Sequence, residues 1–95
     1  MITEIATITI SEGDEAAFEA NMREGGGLAA LAACAGVLGV RFGQGIENRS
    51  HFTFVVDWES MDSHASARDS ESFKNFRAAF GPYGIGGTME HFDLR

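Results

Sequence analysis

The first ten residues alternate. In the run ITEIATITI, residues 2–10, Ala6, Ile8 and Ile10 share one face and β-branched residues dominate, a period-two pattern that predicts a strand. Ser11-Glu12-Gly13-Asp14 interrupts it, and Asp14 or Ser11 is placed to cap a helix starting near Glu15. Phe18 and Met22 stand four apart on that helix, and Leu28, Ala29 and Ala32 extend an apolar stripe. Between them lies Gly25-Gly26-Gly27. Each glycine costs a helix about 1 kcal/mol relative to alanine, so the triplet predicts a bend or break, or a flexible lip over a pocket. Gly36 closes the helical region. Residues 38–44 and 51–58 read as two strands joined through 46–50, with Asn48 in the connection. On the second, Phe52, Phe54, Val56 and Trp58 occupy one face, and His51, Thr53, Val55 and Asp57 the other.

Ser60 suits the cap of a short helix over 61–68, and Asp69-Ser70 starts another carrying Phe73, Phe76, Arg77 and Phe80 at helical spacing. Gly81-Pro82 stops it. Residues 83–87 read as a glycine-rich loop, and 88–94 alternate again as a final strand. The order is β-α-β-β-α-β, the split pattern of the ferredoxin-like fold: an α+β domain over residues 1–95 with one antiparallel sheet and its helices on one side. Apolar residues occur on both faces of the sheet, and the chain has no further element to cover the second. A twin copy of the sheet is the simplest cover, which predicts a homodimer closing into a dimeric α+β barrel. The 44% hydrophobic content, with eight Phe, fits that expectation. A chain this short buries only roughly 60–65% of its surface by itself.

Charge narrows the partners. Fourteen acidic against seven basic residues give a net charge of −7, a surface that repels phosphate backbones and anionic lipid, so neither nucleic acid nor membrane is expected. Cys34 is the only cysteine and reads as a small buried apolar residue. Met1-Ile2-Thr3-Glu4 leads directly into a strand, and no apolar run approaches ~18 residues, so a cytoplasmic protein is expected. There is no GxSxG elbow and no glycine pattern leading from a strand into a helix, so neither a nicotinamide nor a flavin cofactor is expected. The three histidines lie on separate elements without HxH or i, i+4 spacing, so no metal site is expected either.

Gly45-Ile46-Glu47-Asn48, the strand 52–58, and Trp58-Glu59-Ser60-Met61-Asp62-Ser63-His64 together resemble the antibiotic biosynthesis monooxygenase family of dimeric α+β barrels. Arg68-Asp69-Ser70-Glu71-Ser72-Phe73, Gly81-Pro82-Tyr83 and Glu90-His91-Phe92 resemble one bacterial branch of it. The resemblance spans residues 2–94 and implies a substrate cavity between the sheet and the helices. It also implies chemistry such as cofactor-free oxygenation of anthrone or quinol rings, with haem degradation and polyketide cyclisation elsewhere on the same frame. The haem-degrading branch carries an Asn in the first strand, a Trp in the helix after the family Trp, and a His beyond. This sequence has no Asn in the first strand and has Ala67 and Arg77 near the other two places, which excludes haem degradation.

Histidine is the side chain suited to proton transfer near neutral pH. The resemblance makes His64 and His91 the catalytic candidates; His51 is a lesser one. Trp58 shares a face with Phe52, Phe54 and Val56 and reads as core or dimer packing, or as an aromatic wall against a flat substrate, and Tyr83 would donate a hydrogen bond at the cavity mouth. Arg41 or Arg68 would stabilise an enolate or phenolate, or form a salt bridge to one of the fourteen acids, with Asn21, Phe18 and Met22 as further contacts. The expected function is a cofactor-independent monooxygenase of an aromatic or polyketide-like small molecule, with no cofactor. The alternatives are a polyketide cyclase or isomerase, and a non-catalytic, stress-associated small-molecule-binding protein.

Overall fold

The alternating N-terminal run forms strand β1 (Ile2–Ile10) in a computed structural model that describes residues 1–94. Helices α1 (Glu15–Arg23) and α2 (Gly27–Ala32), strands β2 (Val37–Gln44) and β3 (His51–Trp58), helices α3 (Met61–Ala67) and α4 (Glu71–Phe80), and strand β4 (Gly84–Phe92) follow. The four strands form one antiparallel sheet in the order β2-β3-β1-β4, the ferredoxin-like arrangement, with two helices at each crossover: α1 and α2 part at the glycine triplet, and α3 and α4 start separately as the caps predict.

Strand register fixes which side chains share a face. Glu4, Ala6 and Ile8 of β1 lie opposite Val56, Phe54 and Phe52 of β3 and opposite His91, Met89 and Gly87 of β4. The helices pack on this side. The Phe18 ring meets Phe52 edge-on at 5.1 Å between centroids, and Phe76 meets Phe54 at 5.4 Å. Phe18, Met22, Phe52 and Trp58 are wholly excluded from solvent. Burying a side chain of this kind contributes about 1.5–3 kcal/mol. On the other side, Ile5 and Phe92 stay more than a third exposed, because no element among the described residues covers them.

The helix starts test the expected caps. The Ser60 and Ser70 hydroxyls each accept a backbone N–H three residues on, at 3.1 Å, as the sequence predicts. Asp14 occupies the N-cap position of α1 but makes no side-chain cap bond. Glu15 instead accepts the Gly13 N–H at 2.8 Å and the Ser50 hydroxyl at 2.6 Å, tying the helix start to the turn before β3. The glycine triplet does break the helix: Gly26 adopts φ +84°, a left-handed conformation that strains other residues, and α2 restarts at Gly27.

One boundary differs from the sequence reading. The run expected to be a loop over 83–87 is already strand from Gly84, paired with β1 through a bulge near Thr9 and Ile10. Glycine disfavours strands only weakly, and the exposed edge of β1 supplies the hydrogen bonds that override it. Among the described residues, no helix is long and apolar enough to cross a membrane.

Candidate functional site

The register that brings Glu4 opposite His91 sets an acid and an imidazole side by side on the helix-covered face. The chain then turns from β3 through Ser60 into α3, whose fourth residue, His64, comes down over them. The ring centroids of His64 and His91 are 4.5 Å apart. The Trp58 indole N–H donates to Glu4 Oε1 at 2.8 Å in a fully buried contact, and the same oxygen lies 3.6 Å from His64 Nε2. Trp58 also packs its ring against His64, at 5.0 Å between centroids and close to perpendicular. An indole N–H thus holds the carboxylate, and the carboxylate faces the imidazole.

Burial pushes the His64 imidazole below the ordinary histidine value, against the opposing pull of Glu4. The neighbouring His91 and Arg68 push it the same way as burial. The net effect favours the neutral imidazole, the form that accepts a proton. His91 Nε2 is buried and has no hydrogen-bond partner among the described residues, an exposed valence in an otherwise satisfied cluster.

Glu4 and His64 open on a cavity of about 740 Å³ between the β1–β4 half of the sheet and helices α3 and α4. Phe73, Phe76 and Phe80 supply apolar wall, and the glycines at the start of β4 leave room above the sheet. An added Cβ at Gly87 would press on the Thr7 carbonyl oxygen at 2.7 Å. The cavity's charge is opposite to that of the whole protein. Of the acidic side chains only Glu4 lines it, whereas Arg68 and Arg77 both do, and neither is ion-paired among the described residues.

The sequence candidates divide accordingly. His64, His91 and Trp58 come together, and Arg68 stands on the cavity wall. Trp58 lies behind Glu4 as a core residue and buried hydrogen-bond donor, as its apolar strand face predicts, and is not part of the cavity wall. Phe18 and Met22 are core residues, and Asn21 donates to the Ala79 carbonyl, joining α1 to α4. The Tyr83 ring lies against Gly81 and its carbonyl accepts from Ser11; Gly81 lines the cavity but Tyr83 itself does not. Arg41 and His51 sit on the opposite face of the sheet, with Val55 and Thr9 as their register partners. The glycine triplet does not border the cavity.

Two residues escaped the sequence reading. Glu4 alternates with Ala6, Ile8 and Ile10, so an acid on an apolar strand face was the available signal. Arg77 was visible only as part of the helical pattern of α4. The spacing argument against a metal site also needs correction. It holds for ligands on one element, whereas Glu4, His64 and His91 come from three and place a ligand atom each within 4.8 Å of the others.

A ferredoxin-like sheet with a charged, aromatic-walled cavity under its helices defines the class of protein, a ferredoxin-like α+β fold. The antibiotic biosynthesis monooxygenase family model matches residues 1–79, and the chain belongs to that family. A Bordetella bronchiseptica protein named for the same family is 31% identical, with a TM-score of 0.86 over 99% of this chain and 96% of that one. PA3566 from Pseudomonas aeruginosa is 22% identical, with a TM-score of 0.81 over 99% and 93%. SnoaB, a cofactor-independent oxygenase from Streptomyces nogalater, is 17% identical and shares the fold with a TM-score of 0.80 over 99% and 92%. No curated protein matches the chain.

Proposed function

We propose that the chain is a cofactor-independent monooxygenase of an aromatic or polyketide-like small molecule, working in the cytoplasm as a homodimer. The observation that carries this reading is a buried imidazole, His64, opening with its carboxylate partner Glu4 on a cavity of about 740 Å³. Flat substrates fit the wall of Phe73, Phe76 and Phe80, and Arg68 and Arg77 suit the oxygen of a phenolate or enolate. The family and the oxygenase named SnoaB on the same frame support the reaction class.

In this mechanism His64 takes a proton from the methylene of an anthrone or the hydroxyl of a quinol, leaving an enolate or phenolate held by the arginines. The enolate gives its electrons to O2, and a carbon–oxygen bond forms. The resulting peroxide takes the proton back from His64, and loss of water breaks the O–O bond to leave a carbonyl. All electrons come from substrate and O2, so no external reductant enters. Trp58 acts as a positioning residue for Glu4, and Glu4 holds the imidazole. His91, beside His64, serves as a second proton site. The uncovered sheet face with Ile5 and Phe92 is the surface for the twin subunit.

The test is O2 uptake on a panel of anthrones and quinols. Wild type is expected to turn over at least one compound, with His64→Ala slower by about 10²-fold or more. Equal background rates for both proteins on every compound would refute the reading. Turnover that persists under strict anaerobiosis would assign a cyclase or isomerase instead.

A further inference from the structure

We propose that Glu4, His64 and His91 form a binding site for one borderline divalent cation of the zinc type, and that the ion silences the base when it binds. Occupancy by the ion is independent of the oxygenase reading; the silencing rests on it.

Three features carry the proposal. The donor set of two imidazoles and one carboxylate suits zinc, cobalt and nickel, and the three come from rigid elements: β1, α3 and β4. The geometry is close to what an ion needs. Two bonds of about 2.1 Å at a tetrahedral angle put ligand atoms ~3.4 Å apart. Glu4 Oε1 and His64 Nε2 are already at 3.6 Å, and the widest separation in the trio is 4.8 Å at most. Rotamer adjustment of His91 covers the remainder. Lastly, the surroundings are built as they are around metal ligands. The Glu4 carboxylate is oriented by the Trp58 N–H, which leaves its second lone pair free, and buried His91 Nε2 has no other partner to lose. Because Glu4 and His64 line the cavity, the coordination positions left over would open on to it. An ion there occupies the imidazole lone pair that proton abstraction requires. The Arg68 guanidinium, whose charge reaches His64, opposes a cation and favours reversible over permanent occupancy.

Trp58 provides a local readout, being the only tryptophan and hydrogen-bonded to a ligand. Zn²⁺ titration of the apo protein by calorimetry is expected to give one ion per chain and a raised melting temperature. Co²⁺ is expected to bind at the same stoichiometry and quench the Trp58 fluorescence. Glu4→Gln, which keeps an acceptor for the indole, and His91→Ala should each weaken both signals by about tenfold or more. His51→Ala, on the far face of the sheet, should leave them unchanged. Binding that survives the first two variants, or that His51→Ala abolishes, overturns the site. In the oxygen-uptake assay, zinc is expected to suppress turnover in wild type and to be removed by a chelator. Zinc binding without turnover of any compound keeps the site and ends the oxygenase reading. Turnover without zinc binding does the opposite.

Discussion

The Trp58–Glu4 hydrogen bond is the joint of the site, and a double-mutant cycle measures it. Trp58→Phe removes the indole N–H and leaves a buried carboxylate without its donor. A hydrogen bond to a charged group contributes about 1.5–3 kcal/mol, and the void left by the smaller ring adds roughly 1 kcal/mol at ~24 cal/mol per Å³. The single change should therefore cost about 2.5–4 kcal/mol. For a chain of this length total stability is about 5–14 kcal/mol, so the melting temperature should fall by about 10 °C or more. Glu4→Met keeps the bulk, removes the acceptor, and strands the N–H of a Trp58 that has no exposure to solvent, at about 1–3 kcal/mol.

With both partners gone nothing polar is left unsatisfied in that contact. The double variant should be less destabilised than the sum of the singles by about 1.5–3 kcal/mol. Urea unfolding at one fixed protein concentration is the assay, followed by circular dichroism because the substitution removes the only tryptophan. Additivity to within about 0.5 kcal/mol would show that the indole does not hold the carboxylate, and the placement of Glu4 against His64 would lose its cause.

Acid should destabilise the protein through His64. Its imidazole is held below the ordinary histidine value of 6.5 mainly by burial, so the unfolded chain binds the extra proton first and stability falls as pH drops from 6.5 through the folded value. Melting temperatures between pH 7.5 and 5 should show that decline in wild type and a shallower one in His64→Gln; parallel curves would contradict it. Burial likewise raises the Cys34 thiol above its usual range, outweighing the Ser70 contact. A thiol reagent at pH 8 should thus label native protein at least about tenfold more slowly than urea-unfolded protein, and equal rates would contradict the burial. Ile5→Lys, on the uncovered sheet face, should turn a sedimenting dimer into a folded monomer at micromolar concentration. A wild type that is already monomeric would sink the proposed twin subunit.

The framework was legible because it rests on local signals. β-branched alternation marked β1, serine caps marked α3 and α4, and a glycine triplet marked the break between α1 and α2. The start of β4 was not, since strand pairing with β1 overrode the poor intrinsic preference of Gly84, Gly86 and Gly87. The site was legible in part. His64 and His91 followed from a family resemblance, yet their meeting depends on the register of β1 against β4, which no spacing within the sequence encodes. The packing of Trp58 is legible in its apolar strand face, whereas its hydrogen-bond partner on β1 is not, because that pairing depends on strand register. Phe18, Met22 and Asn21 looked available for substrate because helical periodicity shows which residues face inward, and the core and the cavity both lie inward.

Glu4 gives the strongest reason to regard the cluster as chemical machinery. A carboxylate on the apolar face of a strand loses hydration, and one indole N–H with an imidazole at 3.6 Å offsets that loss only in part. An apolar residue at position 4 would pack against Val56, its partner across β3, without any such penalty. Buried ionic groups of this kind commonly leave a protein no more stable than hydrophobic replacements of equal volume. Stability therefore does not account for an acid held by Trp58, facing His64, and opening on a cavity whose other charged side chains are arginines. A base that must be oriented and kept neutral until substrate arrives does account for it, since orientation requires the carboxylate and neutrality requires the burial.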